Sequence, residues 1–213
     1  MKVLKFVVLF FCLLTMQSFA NNLTLGVDYI ILDKPLKDSQ NSVIELFNVG
    51  CPHCAYYNGL LPMILEMLPQ DTKFLPYHLT TASRFHKEFS DIVVVALLKD
   101  KHNNTDTKSP NALYKKVLNY YFNAIHKERK NWKNAQLFLE DSYPLINVNQ
   151  QEFQQLLNSK EAKEILQAMP EAMAYASIQG VPSFIVNGKY MIMSRNIKSL
   201  EDLIFKINVL LEK

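Results

Sequence analysis

Val43-Ile44-Glu45-Leu46-Phe47-Asn48 is followed by Val49-Gly50 and then by Cys51-Pro52-His53-Cys54-Ala55-Tyr56-Tyr57. The first six residues predict a mostly buried strand, Val49-Gly50 the turn out of it, and the stretch from Pro52 a helix. Proline suits a first helical position, because the N–H it lacks would be unpaired there anyway. Cys51 then falls at the N-cap, where unpaired backbone amides and the positive end of the helix dipole favour an anion. A Cys51 thiolate is therefore stabilised, which makes it a good leaving group in thiol–disulfide exchange.

Upstream, Lys2 and Lys5 precede an apolar run over 6–14, and Ser18-Phe19-Ala20 has the small-x-small pattern of a cleavage site. Residues 1–20 read as a secretory signal peptide, too short and too polar at its flank to span a bilayer. Its removal takes Cys12 away; a lipoprotein reading of Cys12 is weak, since Phe11 precedes it where a small residue is needed. The net charge of the whole chain is +3, and losing Lys2 and Lys5 brings it to about +1. A near-neutral chain argues against nucleic acid or an anionic membrane as main partner. The apolar run over 92–98, bounded by Asp91 and Lys99, is too short to span a membrane. The expectation is an exported, soluble protein whose remaining cysteines are Cys51 and Cys54. In an oxidising compartment such a pair can form a disulfide. A bridge closing so short a loop removes little chain entropy, so it suits a redox switch better than a staple.

Downstream, Pro62 predicts a kink or interruption of the first helix. Lys73-Phe74-Leu75-Pro76-Tyr77-His78-Leu79 predicts a strand, with an irregularity near Pro76. Tyr29-Ile30-Ile31-Leu32 suggests an edge strand before it. The texture is helical over 84–179. Ser109-Pro110 predicts a cap and first turn, a short helix is expected over 132–142 before Pro144, and Asn149 with Glu152 resembles a capping box. Pro170 predicts a kink or break in a long helix over 160–179. Ser183-Phe184-Ile185-Val186, Asn187-Gly188 and Lys189-Tyr190-Met191-Ile192 predict a hairpin, and Ser199 with Asp202 opens a last amphipathic helix. The order predicts one α/β domain, 21–83 and 180–213, with an all-helical insertion over 84–179.

A zinc site at Cys51 and Cys54 would need two more ligands, and no second cysteine pair exists. His78, His86, His102 and His126 are not spaced as a partner pair, so no metal is expected. His53 is either a polar filler or a positive or donor group supporting the Cys51 thiolate, and the second reading is favoured. Glu45 is either an exposed edge carboxylate or a buried one with a raised pKa; its apolar neighbours favour burial. The residues alone make trans the default for Val181-Pro182, since only about 5–6% of X–Pro bonds are cis. Aromatic and methionine richness elsewhere is mostly core, though some could line a groove for unfolded chains.

Glu45-Leu46-Phe47, Cys51-Pro52-His53-Cys54, Gly180-Val181-Pro182 and Val186-Asn187-Gly188-Lys189-Tyr190 together resemble the bacterial DsbA family. That resemblance implies a thioredoxin fold with a helical insertion and a thiol:disulfide oxidoreductase of the Gram-negative periplasm. It implies that the Cys51–Cys54 disulfide is the redox group, with no cofactor, and that reduced or unfolded exported proteins are the substrates. It reverses the trans default at Pro182, sets that proline against the cysteines, and gives Val181 a backbone role toward a bound substrate strand. Reoxidation by a DsbB-like, quinone-linked membrane oxidase is implied in the same way, and nothing demands more than a monomer. The chain departs from the family at Gly50, often aromatic, at Asn58, often acidic, and at Pro76, often lysine. A specialised DsbL-like branch fits such departures. Two other readings stay open: a reductase or isomerase of the same fold, and a chaperone-like binding module in which the cysteines are incidental.

Overall fold

The computed structural model describes residues 23–81 and 84–213. The signal-peptide segment lies outside the described residues. An interior strand of the sheet is β2 (Ser42–Phe47), six residues that are all buried. It pairs in parallel with β3 (Lys73–His78) and antiparallel with β4 (Ser183–Val186). β4 continues into β5 (Tyr190–Ile192), and β1 (Tyr29–Ile31) closes the far edge, giving the order β1-β5-β4-β2-β3. Burial on both faces explains why β2 reads as a continuous apolar run and not an alternating one.

Side chains still alternate between the two faces of that strand. Ile44, Leu46, Ile185 and Met191 share one core with Ala172 of α7 (Lys160–Gln179). Val43 and Phe47 point the other way, into the larger core. There they meet α1 (Pro52–Glu66), α2 (His86–His102), α3 (Leu113–His126) and α8 (Leu200–Leu211). Glu45 has the parity of Val43 and Phe47, so its carboxyl is directed to the α1 side of the sheet.

The helices α1 and α7 run on without a break past their interior prolines. Pro62 lies inside α1 and Pro170 inside α7, and each projects to solvent. On an exposed face the carbonyl four residues earlier can bond water, which removes much of the reason to end the helix. Pro76 likewise sits within an unbroken β3. That strand is an edge strand, where a missing N–H is tolerated.

Among the helices between β3 and β4, the expected start at Ser109 is corrected. Residues 109–112 form a turn, and α3 begins at Leu113. Its exposed amides are met by Asp100 at the end of α2, which accepts from Leu113 N–H at 2.7 Å and Tyr114 N–H at 3.1 Å. The segment expected as one helix over 132–142 is shorter, α4 (Ala135–Glu140), capped by Asn134. Pro144 then opens a further turn, α5 (Tyr143–Ile146), as a first-turn proline can. Asn149 caps α6 (Gln150–Leu157) and Ser199 caps α8, as their sequences predict.

The hairpin turn uses φ of 53° at Asn187 and 63° at Gly188, both in the left-handed region. A Cβ on Gly188 would stand 2.7 Å from the Leu36 carbonyl, because the segment after β1 crosses the turn there.

Candidate active site

Cys51 is the N-cap of α1, and Pro52 opens its first turn. The Cys51 sulfur accepts the Cys54 N–H at 3.4 Å, so an amide at the start of the helix is aimed at it. Across the cleft it lies 3.5 Å from the Val181 carbonyl oxygen. The Val181-Pro182 peptide is cis, so the default drawn from the residues alone is overturned in favour of the one implied by resemblance. Both cysteines are free thiols in this structure, Cys51 partly exposed and Cys54 buried.

Their environments differ. Burial pushes the Cys54 thiol well up, and the neighbouring Cys51 sulfur and Glu45 add to the shift; the backbone at Asn48 offsets part of it. Cys54 is therefore held as a protonated thiol beneath the surface, with Cys51 presented above it.

Glu45 is 4% exposed, and burial raises its pKa to about 8. Its partner across the parallel ladder is Pro76, the position where the resemblance led one to expect a lysine. The low exposure decides between its two readings in favour of burial, and no cation from position 76 offsets the carboxyl's desolvation.

His53 is exposed on the first turn of α1. It lines a cleft of about 260 Å³ with Tyr57, Val181, Pro182, Phe184 and Ile197. Among the described residues no hydrogen bond joins it to the Cys51 sulfur. Also among the described residues, no group of three or more His, Cys, Asp or Glu side chains is placed to hold a metal ion.

Several positioning residues escape a reading of the sequence. Asn48 accepts the Gly50 N–H at 2.8 Å and donates to the Leu79 carbonyl at 2.9 Å and to His86 Nδ1 at 3.0 Å. His86 Nε2 and Asn48 Oδ1 stand 3.3 and 3.2 Å from where a Cβ on residue 50 would be, so the room beside Gly50 is already filled. Gln179 donates to the Ile192 carbonyl at 2.7 Å and accepts the Ser194 N–H at 2.9 Å, which fixes the chain entering the cis peptide. Asn58 donates to Asn119 at 2.7 Å, tying α1 to α3. Asn and Gln side chains carry no spacing signal of their own, and only the folded arrangement shows what they bond.

A thiol:disulfide interchange protein DsbL of Lelliottia amnigena is 30% identical over 188 residues, which cover 86% of this chain and 85% of that one. The chain belongs to the DsbA family. A family model described as a DSBA-like thioredoxin domain matches residues 102–205. A DsbA of Dickeya dadantii is 29% identical over 172 residues, 79% of this chain and 76% of its own length. The crystal structure of a reduced DsbL superposes with a TM-score of 0.83 at 30% identity, covering 90% of this chain and all of that one. The thioredoxin fold with its helices is thus that of known DsbA-family proteins.

Proposed function

We propose that this DsbA-family protein is a thiol:disulfide oxidoreductase that introduces disulfide bonds into exported proteins through Cys51 and Cys54. The observation that carries the reading is the position of Cys51: a sulfur on a helix N-terminus, partly exposed, facing the Val181 backbone beside a cis proline. The homologous interchange proteins support it.

In the oxidised enzyme a substrate thiolate attacks the Cys51 sulfur. An S–S bond forms between substrate and Cys51, and the Cys51–Cys54 bond breaks. Cys54 leaves as a thiolate in a buried place that favours the neutral thiol, so it takes up a proton. Glu45, protonated over much of the neutral range and on the same side of the sheet, is suited to supply it. A second substrate thiolate then attacks the substrate sulfur of the mixed disulfide and expels Cys51 as a thiolate. The substrate has lost two electrons and the enzyme has gained them. The amides at the start of α1 stabilise the departing thiolate, which favours the reduced enzyme and makes the disulfide an oxidant.

In this reading Val181 offers its backbone to an extended substrate segment, Pro182 shapes the cleft, and His53 lies alongside the mixed disulfide. The cysteine pair is the redox group, and no cofactor is called for. The protein works as a monomer in the periplasm after signal-peptide removal, and a DsbB-like membrane oxidase restores the disulfide.

The test is stoichiometric oxidation of a reduced client such as ribonuclease A by the oxidised protein. Wild type is expected to generate protein disulfides and Cys51→Ser none. Full activity of Cys51→Ser would end the proposal, and client binding without exchange in wild type would favour a chaperone-like module instead.

A further inference from the structure

The turn that delivers Cys51 is gripped by two imidazoles from different parts of the fold. Val49, two residues before the nucleophile, is 2% exposed, so its peptide groups need partners within the protein. Its N–H donates to His78 Nε2 at 3.2 Å. Its carbonyl accepts from His126 Nε2 at 2.9 Å. His78 closes β3 in the sheet, whereas His126 closes α3 in the helical block. The flanking bonds are local: Gly50 N–H to the Asn48 side chain, and Cys51 N–H to the Asn48 carbonyl at 3.0 Å.

The two imidazoles take opposite roles. An Nε2 that accepts must be unprotonated, so the proton of His78 is on Nδ1, where Ser90 Oγ at 2.8 Å takes it. Full burial and the neighbouring His86 hold His78 in this neutral form. His126 donates from Nε2, which both its Nε2–H tautomer and its cation can do. Its ring is 5.9 Å from Phe122, centroid to centroid, one helical turn earlier, which limits where it can point.

We infer that His78 and His126 are positioning residues for the exchange reaction: they clamp the Val49 peptide between sheet and helical block and so fix the Cys51 sulfur against the start of α1. The inference rests on the thiol–disulfide reading of Cys51. Its consequence is unequal for the two redox forms. In the disulfide the Cys51 sulfur is held by a covalent bond to Cys54. In the reduced form it is held by the Cys54 amide, by its contact with the Val181 carbonyl and by the turn, none of them covalent, so loosening the clamp costs the reduced form more.

The experiment compares the full chain as wild type, His126→Ala and His126→Gln, each equilibrated in glutathione buffers, with the reduced fraction read by thiol alkylation. His126→Leu, which retains packing on Phe122 without a donor, serves as second apolar variant. Removal of the donor is expected to shift the equilibrium about threefold or more toward the disulfide form, the effect of about one ordinary hydrogen bond. Glutamine, which can donate to the Val49 carbonyl, is expected to stay within about twofold of wild type. A merely structural role would lower the unfolding midpoints of both redox forms alike and leave the equilibrium unmoved. That result, or an equal shift in the Gln and Ala variants, would overturn the inference. The wild-type potential judges the oxidase reading and the variant-to-wild-type ratio judges the clamp, so either can fail without the other.

Discussion

Glu45 and Pro76 face each other across the β2–β3 ladder, so a buried carboxyl meets an uncharged pyrrolidine ring. The carboxyl is thereby kept protonated near neutral pH by desolvation alone. It lies on the side of the sheet that carries α1, and once ionised it raises the Cys54 thiol further.

Stability should follow that carboxyl with pH. Its folded pKa of about 8 is above the ordinary 4.5, so the folded state binds the extra proton and is stabilised at low pH. This contribution is fully present below about 4.5 and is lost as pH rises through about 8. Urea unfolding of the reduced protein at pH 5 and pH 8.5 should show a loss in wild type, on the order of a few kcal/mol. Glu45→Gln should flatten it. An equally steep loss in the variant would assign the dependence to other groups.

Cys54→Ser should separate the two steps of exchange. Cys51 can still be joined to a client cysteine, but no resolving thiol remains beneath it. A Cys51-linked client complex, formed from an activated client disulfide, should therefore persist on non-reducing gels. Rapid release of the client from Cys54→Ser would show that Cys54 is not the resolving group.

Asp100 is predicted to matter to the helical block although it lies outside the cleft. Asp100→Ala strands the amides of Leu113 and Tyr114 in a buried place. The cost should be about 1–3 kcal/mol, read as a lower urea midpoint with an unchanged slope. Asp100→Asn keeps an acceptor and should cost less. A midpoint unchanged in Asp100→Ala would mean that water caps the helix equally well.

The reactive half of the site was legible because its chemistry is local. Cys51, Pro52 and Cys54 gain their roles from being at the start of one helix, and the strand, turn and helix around them each have a sequence pattern. The hairpin at Asn187-Gly188 was legible for the same reason. The cis peptide before Pro182 has no local pattern, and only the resemblance pointed to it. The least legible features join residues distant in the chain. Asp100 caps a helix that starts thirteen residues later, and His126 reaches Val49 over a separation of 77 residues. In the sequence, His78 and His126 carry no pattern that links them to Val49 or to each other. Pro62 and Pro170 do not end their helices, since a proline on an exposed face leaves its orphan carbonyl to water.

The most direct test of the account is the reduction potential of the Cys51–Cys54 pair, by equilibration with glutathione buffers. Stabilisation of the Cys51 thiolate by α1 predicts a strongly oxidising couple, nearer the value of about −120 mV known for DsbA than that of thioredoxin. A value near thioredoxin's, about −270 mV, would make the protein a reductant and contradict the oxidase assignment.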